Sequence, residues 1–255
     1  MAVLITGASA GLGAEYARQF AARRHNLVLV ARREQALTDL AAQLRSAHGV
    51  EVTVIAQDLS RPDAAAELHS RTEELGIEVD TLINNAGFGT HGDLADADVQ
   101  RITDEITLNC TTLVGLTMRY LPAMRARGRG TLINIASTAA FQPLPHMAVY
   151  GATKAFVLSF TEALWAEEKP NGIRVLAVCP GATATEFFEV AGESAAVGIK
   201  RTAAQVVEHT LRELDGGKPS FVDGGINAFT AHILTRLVPR RVTLAITGRA
   251  MGRNR

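Results

Sequence analysis

A chain of 255 residues with 47% apolar side chains is long enough for one large α/β domain around a single core. Charged residues make up 20% and balance at 26 basic against 26 acidic, which excludes a disordered chain and leaves no general footprint for nucleic acid. Cys110 and Cys179 belong to no Cys-x-x-Cys pair and the seven histidines are scattered, which excludes a disulfide framework and a structural zinc site.

Ala2 to Thr6 already reads as a strand, without the charged region and apolar core of a leader. No apolar run approaches the ~18–20 residues of a membrane span, so a soluble, cytoplasmic, metal-free protein is expected. Apolar runs at 2–6, 27–31, 51–56, 79–83, 130–136, 173–178 and 219–222 alternate with helical patterns near 12–24, 34–47, 62–75, 98–126, 148–169 and 202–214. Runs such as LVLVA, TLINIA and IRVLAV suit parallel strands covered on both faces. The alternation predicts an α/β fold: a doubly wound, Rossmann-like parallel sheet with helices on both faces. Residues 1–225 are expected to form one catalytic domain, with 226–255 as its extension.

Directly after the first strand comes TGASAGLG, from Thr6 to Gly13, running into the helical pattern EYARQFAARR. Gly7 lets the chain turn sharply, Gly11 admits a pyrophosphate close to backbone, and Gly13 lets the helix pack against the sheet. The helix start offers free N–H groups and a positive dipole end. The loop, with Ser9 and Leu12 in it, therefore reads as a phosphate cradle.

Three further motifs follow: Asn84-Asn85-Ala86-Gly87 after the fourth strand, Tyr150-Gly151-Ala152-Thr153-Lys154 opening a helix, and Pro180-Gly181 after the sixth strand. With the Gly-x3-Gly-x-Gly spacing before them, the chain resembles the short-chain dehydrogenase/reductase family, from residue 2 to about 225. An NAD-binding fold usually ends its second strand with a carboxylate for the ribose hydroxyls. Here Ala31-Arg32-Arg33 stands instead. Guanidinium groups pair with a 2′-phosphate that a carboxylate would repel, so NADP(H) is the expected cofactor. The resemblance places Asp58 and Leu59 at the adenine, Asn85, Ala86 and Gly87 along the cleft, and Pro180, Gly181 and Thr185 against the cofactor.

Tyr150 and Lys154, at i and i+4, share one helix face. A free phenol has a pKa near ~10, and a neighbouring ammonium is expected to lower it. Tyr150 would then give a proton to a carbonyl as hydride arrives, or take one in reverse. Ser137, just past the fifth strand, is placed to hold the substrate oxygen. The resemblance adds that Ser137 orients the carbonyl, Lys154 binds the nicotinamide ribose, and Asn109 holds a water in the proton relay. His146 is a rival acid because imidazole titrates near neutrality, although Pro143 and Pro145 set it in a loop. Cys179 reads as packing.

Phe88, Phe141, Leu144, Met147, Phe187 and Phe188 form the expected pocket wall, suited to a medium or bulky apolar ketone, aldehyde or alcohol. The last 30 residues carry six arginines and no acidic residue, so a tail of +6 follows a body of −6 within a net charge of zero. A cap over the pocket, or over a subunit interface, is preferred to contact with an anionic lipid surface or acidic carrier. A catalytically silent NADP(H)-binding sensor is disfavoured by the retained Tyr150 and Lys154. Dehalogenation or epimerisation on the same fold is disfavoured by the glycine loop and the chain length. A 3-oxoacyl-thioester reductase and a steroid- or lipid-type alcohol dehydrogenase stay open. The resemblance also implies a homodimer or homotetramer through the Tyr150 helix and its neighbour.

Overall fold

Successive side chains of a strand point to opposite faces of its sheet, and here both faces are dry. Val3 and Ile5 of β1 (Ala2–Thr6) bury in one apolar cluster while Ala2 and Leu4 bury in another. The computed structural model describes residues 1–186, 201–234 and 237–252. In it, β1 is followed by α1 (Gly11–Ala22), β2 (Asn26–Ala31), α2 (Glu34–His48), β3 (Val52–Ala56), α3 (Ala64–Glu74) and β4 (Val79–Asn84). Next come α4 (Val99–Ile106), a π-helical turn (Thr107–Thr112), α5 (Leu113–Arg127), β5 (Gly130–Ile135), α6 (Ala148–Glu168) and β6 (Ile173–Cys179). The described remainder holds β7 (Thr183–Ala184), β8 (Arg201–Thr202), α7 (Ala203–Glu213), β9 (Ser220–Val222), α8 (Gly225–Phe229), a second π turn (Thr230–Leu234) and α9 (Arg240–Gly252).

Seven strands form one parallel sheet in the order β3-β2-β1-β4-β5-β6-β9, while β7 and β8 pair separately. Tyr16 and Phe20 of α1, Leu37 and Leu44 of α2, and Val206 of α7 cover one face. Leu68 of α3, Leu116 and Met124 of α5, and Leu164 of α6 cover the other. The chain leaves β1 towards β2 on one side and returns to β4 on the other, so the sheet reverses winding between β1 and β4. A crevice opens at the carboxyl ends of the strands at such a reversal.

One expectation changes here. The single helical pattern at 98–126 is interrupted by the Thr107–Thr112 π turn. In the tail, α9 docks on the loop before α6, where the Thr247 hydroxyl donates to the Pro143 carbonyl at 3.2 Å and Met251 packs on the cluster of Leu144, Met147 and Tyr150.

Gly13 sits where α1 closes on the loops that follow β1 and β4. A Cβ there would lie 2.2 Å from the Gly7 carbonyl oxygen and 2.7 Å from Asn85 Nδ2. Backbone blocks it on one side, so Gly13→Ala is expected to destabilise by about 1–3 kcal/mol. Thermal denaturation should show a fall of roughly 2–10 °C, and an unchanged midpoint would mean that α1 moves freely.

Candidate active site

A cleft of about 1240 Å3 runs along the carboxyl ends of β1, β2, β4, β5 and β6. At the end formed by the glycine loop, Gly7 turns with φ +65° and α1 begins at Gly11 without any side-chain cap from Ala10. Unserved N–H groups at a helix start are donors for an anion. Gly11 approaches Thr185 so closely that a Cβ would meet its side chain at 3.0 Å.

Ser9, Leu12, Arg32, Arg33, Asp58, Leu59, Ala86, Gly87, Pro180 and Gly181 also line this cleft. Arg33 donates to the Ser9 hydroxyl at 3.2 Å and pairs with Glu186 at 2.8 Å, so its guanidinium bridges the glycine loop and the strand-end loop. Burial works to raise the Asp58 pKa, but hydrogen bonds from the Ser60 backbone and hydroxyl, with the charges of Arg32 and Arg61, outweigh it and hold the carboxylate below its usual range. Asn85 plays a more structural part than its motif suggests. Its amide donates to Thr6 O at 2.8 Å and Gly7 O at 3.3 Å, stitching the end of β1 to β4.

At the other end, Ser137, Tyr150 and Lys154 converge. Ser137 follows β5, accepts from the Ala139 N–H at 3.1 Å and hydrogen-bonds Tyr150. Lys154, one turn along α6 from Tyr150, holds its ammonium 5.8 Å from the phenol ring centroid and donates to Ile135 O at 2.7 Å. The expected direction of the tyrosine shift is reversed. Burial dominates and pushes the Tyr150 phenol up to about 12, with the Ser137 hydrogen bond only partly opposing it. Burial likewise brings Lys154 down to about 8. Desolvation disfavours whichever form is charged, and both groups lie inside the protein. Tyr150 is therefore a phenol at neutral pH, poised to donate.

Asn109 lies on the π turn, buried, with its side-chain amide in three hydrogen bonds. It donates to Phe88 O at 2.9 Å and to the Thr153 hydroxyl at 3.1 Å, and accepts from Phe88 N–H at 3.2 Å. The side chain thus fixes the loop after β4 against α6.

Phe88, Leu144 and Met147 line the cleft as expected. Phe141 does not, because its ring packs edge-on against His232 at 5.2 Å. Phe187 and Phe188 lie outside the described residues. His146 is turned away into a separate cavity, its Nδ1 2.6 Å from Asp93 Oδ1. Cys179 is fully buried in an apolar cluster. Sequence reading prefers the tail as a cap over the pocket or an interface but names none of its residues; Thr243, Ile246, Thr247, Ala250 and Met251 of α9 line the cleft.

The short chain dehydrogenase family matches residues 1–196. A very-long-chain 3-oxoacyl-CoA reductase from Phaeosphaeria nodorum is 33% identical over 216 residues, 83% of this chain and 62% of that one. A short-chain dehydrogenase from Sphingobium yanoikuyae, solved in complex with NADPH, superposes with a TM-score of 0.83 at 36% identity, covering 100% of this chain and 96% of that one. A bulky-bulky ketone specific alcohol dehydrogenase from Comamonas testosteroni gives 0.79 at 33% identity, covering 100% and 94%. The chain spans 59–62% of the length of the first curated relatives that it matches. Family pattern, fold and cleft agree, and the chain belongs to the short-chain dehydrogenase family.

Proposed function

We propose that this protein is an NADP(H)-dependent oxidoreductase acting on a carbonyl/secondary-alcohol pair in a hydrophobic substrate. One observation carries it: Ser137, Tyr150 and Lys154 meet at the end of a cleft whose opposite end is an uncapped helix start flanked by Arg32 and Arg33. The residues present fit a dinucleotide. The cleft exceeds the ~300–1,000 Å3 of an ordinary small-molecule site, giving room for a nucleotide and a substrate together. Gly7, Ser9, Gly11, Leu12 and Gly13 would hold the pyrophosphate, Arg32 and Arg33 the 2′-phosphate, and Asp58 and Leu59 the adenine. Asn85, Ala86, Gly87, Pro180, Gly181 and Thr185 would flank the nicotinamide half.

A nicotinamide bound there would supply or take the hydride. Ser137 holds the substrate oxygen beside the phenol, and Tyr150 protonates it as the alcohol forms. Lys154 keeps a positive charge behind Tyr150 and would grip the ribose hydroxyls, while Asn109 fixes the loop that closes over them.

Phe88, Leu144, Met147 and Met251 make the substrate end apolar. The names of two relatives, a very-long-chain 3-oxoacyl-CoA reductase and a bulky-bulky ketone specific alcohol dehydrogenase, agree with that wall. A screen with NADPH should find turnover of bulky apolar ketones. The reading fails if only small charged oxo-acids react, whereas preference for 3-oxoacyl thioesters would select the thioester reductase. Met251→Ala enlarges this end and should shift kcat/KM towards bulkier ketones by about tenfold, measured as competition between a small and a large ketone.

Among the described residues no helix is long and apolar enough to cross a membrane. Met118 of α5 and Phe156 of α6 are exposed, at 66% and 44%. They suit a contact between copies of this chain, and the reading therefore includes a homodimer or homotetramer.

A further inference from the structure

Arg33 would face a 2′-phosphate, yet its charge is already engaged. Its Nη2 lies 2.8 Å from Glu186 Oε2, and the same guanidinium donates to the Ser9 hydroxyl through Nε at 3.3 Å and Nη2 at 3.2 Å. Arg33 follows β2 and Glu186 follows β7, so the two reach the cleft from opposite sides of β1 in the strand order, and both line it. Among the described residues no carboxylate forms such a pair with Arg32.

The fold holds the Glu186 end of this bridge in place. Thr183 and Ala184 of β7 pair with Arg201 and Thr202 of β8, and the Thr183 hydroxyl donates to Gly181 O at 3.1 Å. Thr185 then comes so near the glycine loop that a Cβ at Gly11 would lie 3.0 Å from its side chain. Three anchored residues thus deliver Glu186 to the rim of the phosphate cradle. The paired side chains are 53% and 49% exposed, and an ion pair so open to solvent adds little to folding stability. Its larger consequence is for what else can occupy Arg33.

A phosphate monoester carries about −1.5 to −2 charges near neutrality. Arriving at Arg33, it must displace the Glu186 carboxylate or lie beside it, and either costs affinity through like-charge repulsion. A ribose hydroxyl is neutral and leaves the ion pair intact. Resting on the NADP(H) reading of this cleft, we propose that Glu186 is a determinant of nucleotide choice, an internal rival of the 2′-phosphate for Arg33. NADPH has to open the Arg33–Glu186 bridge, and NADH does not. Glu186 therefore weakens the binding of NADPH selectively.

Glu186→Gln keeps the shape, removes the charge, and should leave the melting temperature within ~2 °C of wild type. Fluorescence titration should show NADPH bound about threefold to tenfold tighter, with NADH changed by less than about twofold. Competition against NADPH by nucleotide fragments locates the effect: 2′,5′-ADP should gain as NADPH does, and 5′-ADP should behave as NADH. In an Arg33→Ala background the same substitution should change NADPH affinity by less than about twofold, because the rivalry needs Arg33. Glu186→Ala is expected to give the same ratios and serves if the glutamine variant does not fold. An unmoved NADPH affinity, an equal gain for NADH, or an equal gain without Arg33 overturns the proposal. None of these titrations needs turnover. Selective tightening in a protein that reduces no carbonyl would uphold the rivalry and count against the oxidoreductase reading. NADPH-dependent turnover with an unmoved NADPH affinity would do the reverse.

Discussion

Tyr150→Phe should reduce NADPH-dependent carbonyl reduction by ~10²–10⁴-fold, the usual worth of a positioned acid, with nucleotide affinity unchanged. The ring stays where it packs against Ala139, Leu144 and Met147, so only the hydroxyl and its hydrogen bond with Ser137 are lost. That loss should cost about 1 kcal/mol in stability, too little to confuse with unfolding. The wild-type pH dependence tells the same story from the other side. Tyr150 is held near 12 and stays protonated through the neutral range, whereas Lys154, near 8, gives up its charge as pH rises through that value. Reduction needs both protons in place, so kcat/KM should be flat below about pH 7 and fall as pH passes about 8. The Phe variant should lose activity throughout and keep no such break. Wild-type rates in Tyr150→Phe would remove the tyrosine from the chemistry and leave His146, already turned towards Asp93, no better placed.

Much of this architecture could be read in advance because parallel strands and phosphate loops leave local marks. The run LVLVA gives no alternation, yet in the sheet Leu27 and Leu29 enter one cluster and Val28 and Val30 the other. A continuous apolar run is what two dry faces require. Gly7, Gly11 and Gly13 were legible for a comparable reason, since positive φ and close packing restrict those positions to glycine. Other features depend on contacts that no short stretch encodes. The π turn at Thr107–Thr112 shifts the phase of one helical pattern by a single residue, too little to break the apolar periodicity of 98–126. It is this shift that brings Asn109 to Phe88 and Thr153. The Tyr150 shift was assigned the wrong direction because i, i+4 spacing reveals the ammonium and not the burial. Phe141 was counted with the wall for its apolarity, although its partner is His232, far along the chain. The tail reads as a cap, but its lining residues are not legible because Thr243 and Thr247 form the inner face of α9 together with Met251, and two threonines do not announce an apolar stripe.

Arg32→Asp should weaken NADPH binding by about 10- to 100-fold, equivalent to the ~1.5–3 kcal/mol of a hydrogen bond to a charged group, and leave NADH as tight or tighter. Two arginines stand at the end of β2, but they are differently engaged. Arg33 spans Ser9 and Glu186, holding two loops together. Its loss should loosen the site for both nucleotides, and more for NADPH, whose 2′-phosphate it would also face. Arg32 lies near Asp58, where its charge adds to the two Ser60 hydrogen bonds that hold the carboxylate below its usual range, and its side chain lines the cleft. A 2′-phosphate would meet it directly, whereas a ribose hydroxyl gains little from a cation and more from a carboxylate. Arg32→Asp replaces attraction by repulsion for one nucleotide and supplies the missing hydroxyl acceptor for the other. Fluorescence titrations of both nucleotides into wild type, Arg32→Asp and Arg33→Ala separate these roles, at low and at physiological salt because screening weakens the first effect. Equal losses for NADPH and NADH in Arg32→Asp would make Arg32 a structural residue and move the discrimination elsewhere. Binding of neither nucleotide to wild type would remove the oxidoreductase reading altogether, since the uncapped start of α1 would then have no phosphate to serve.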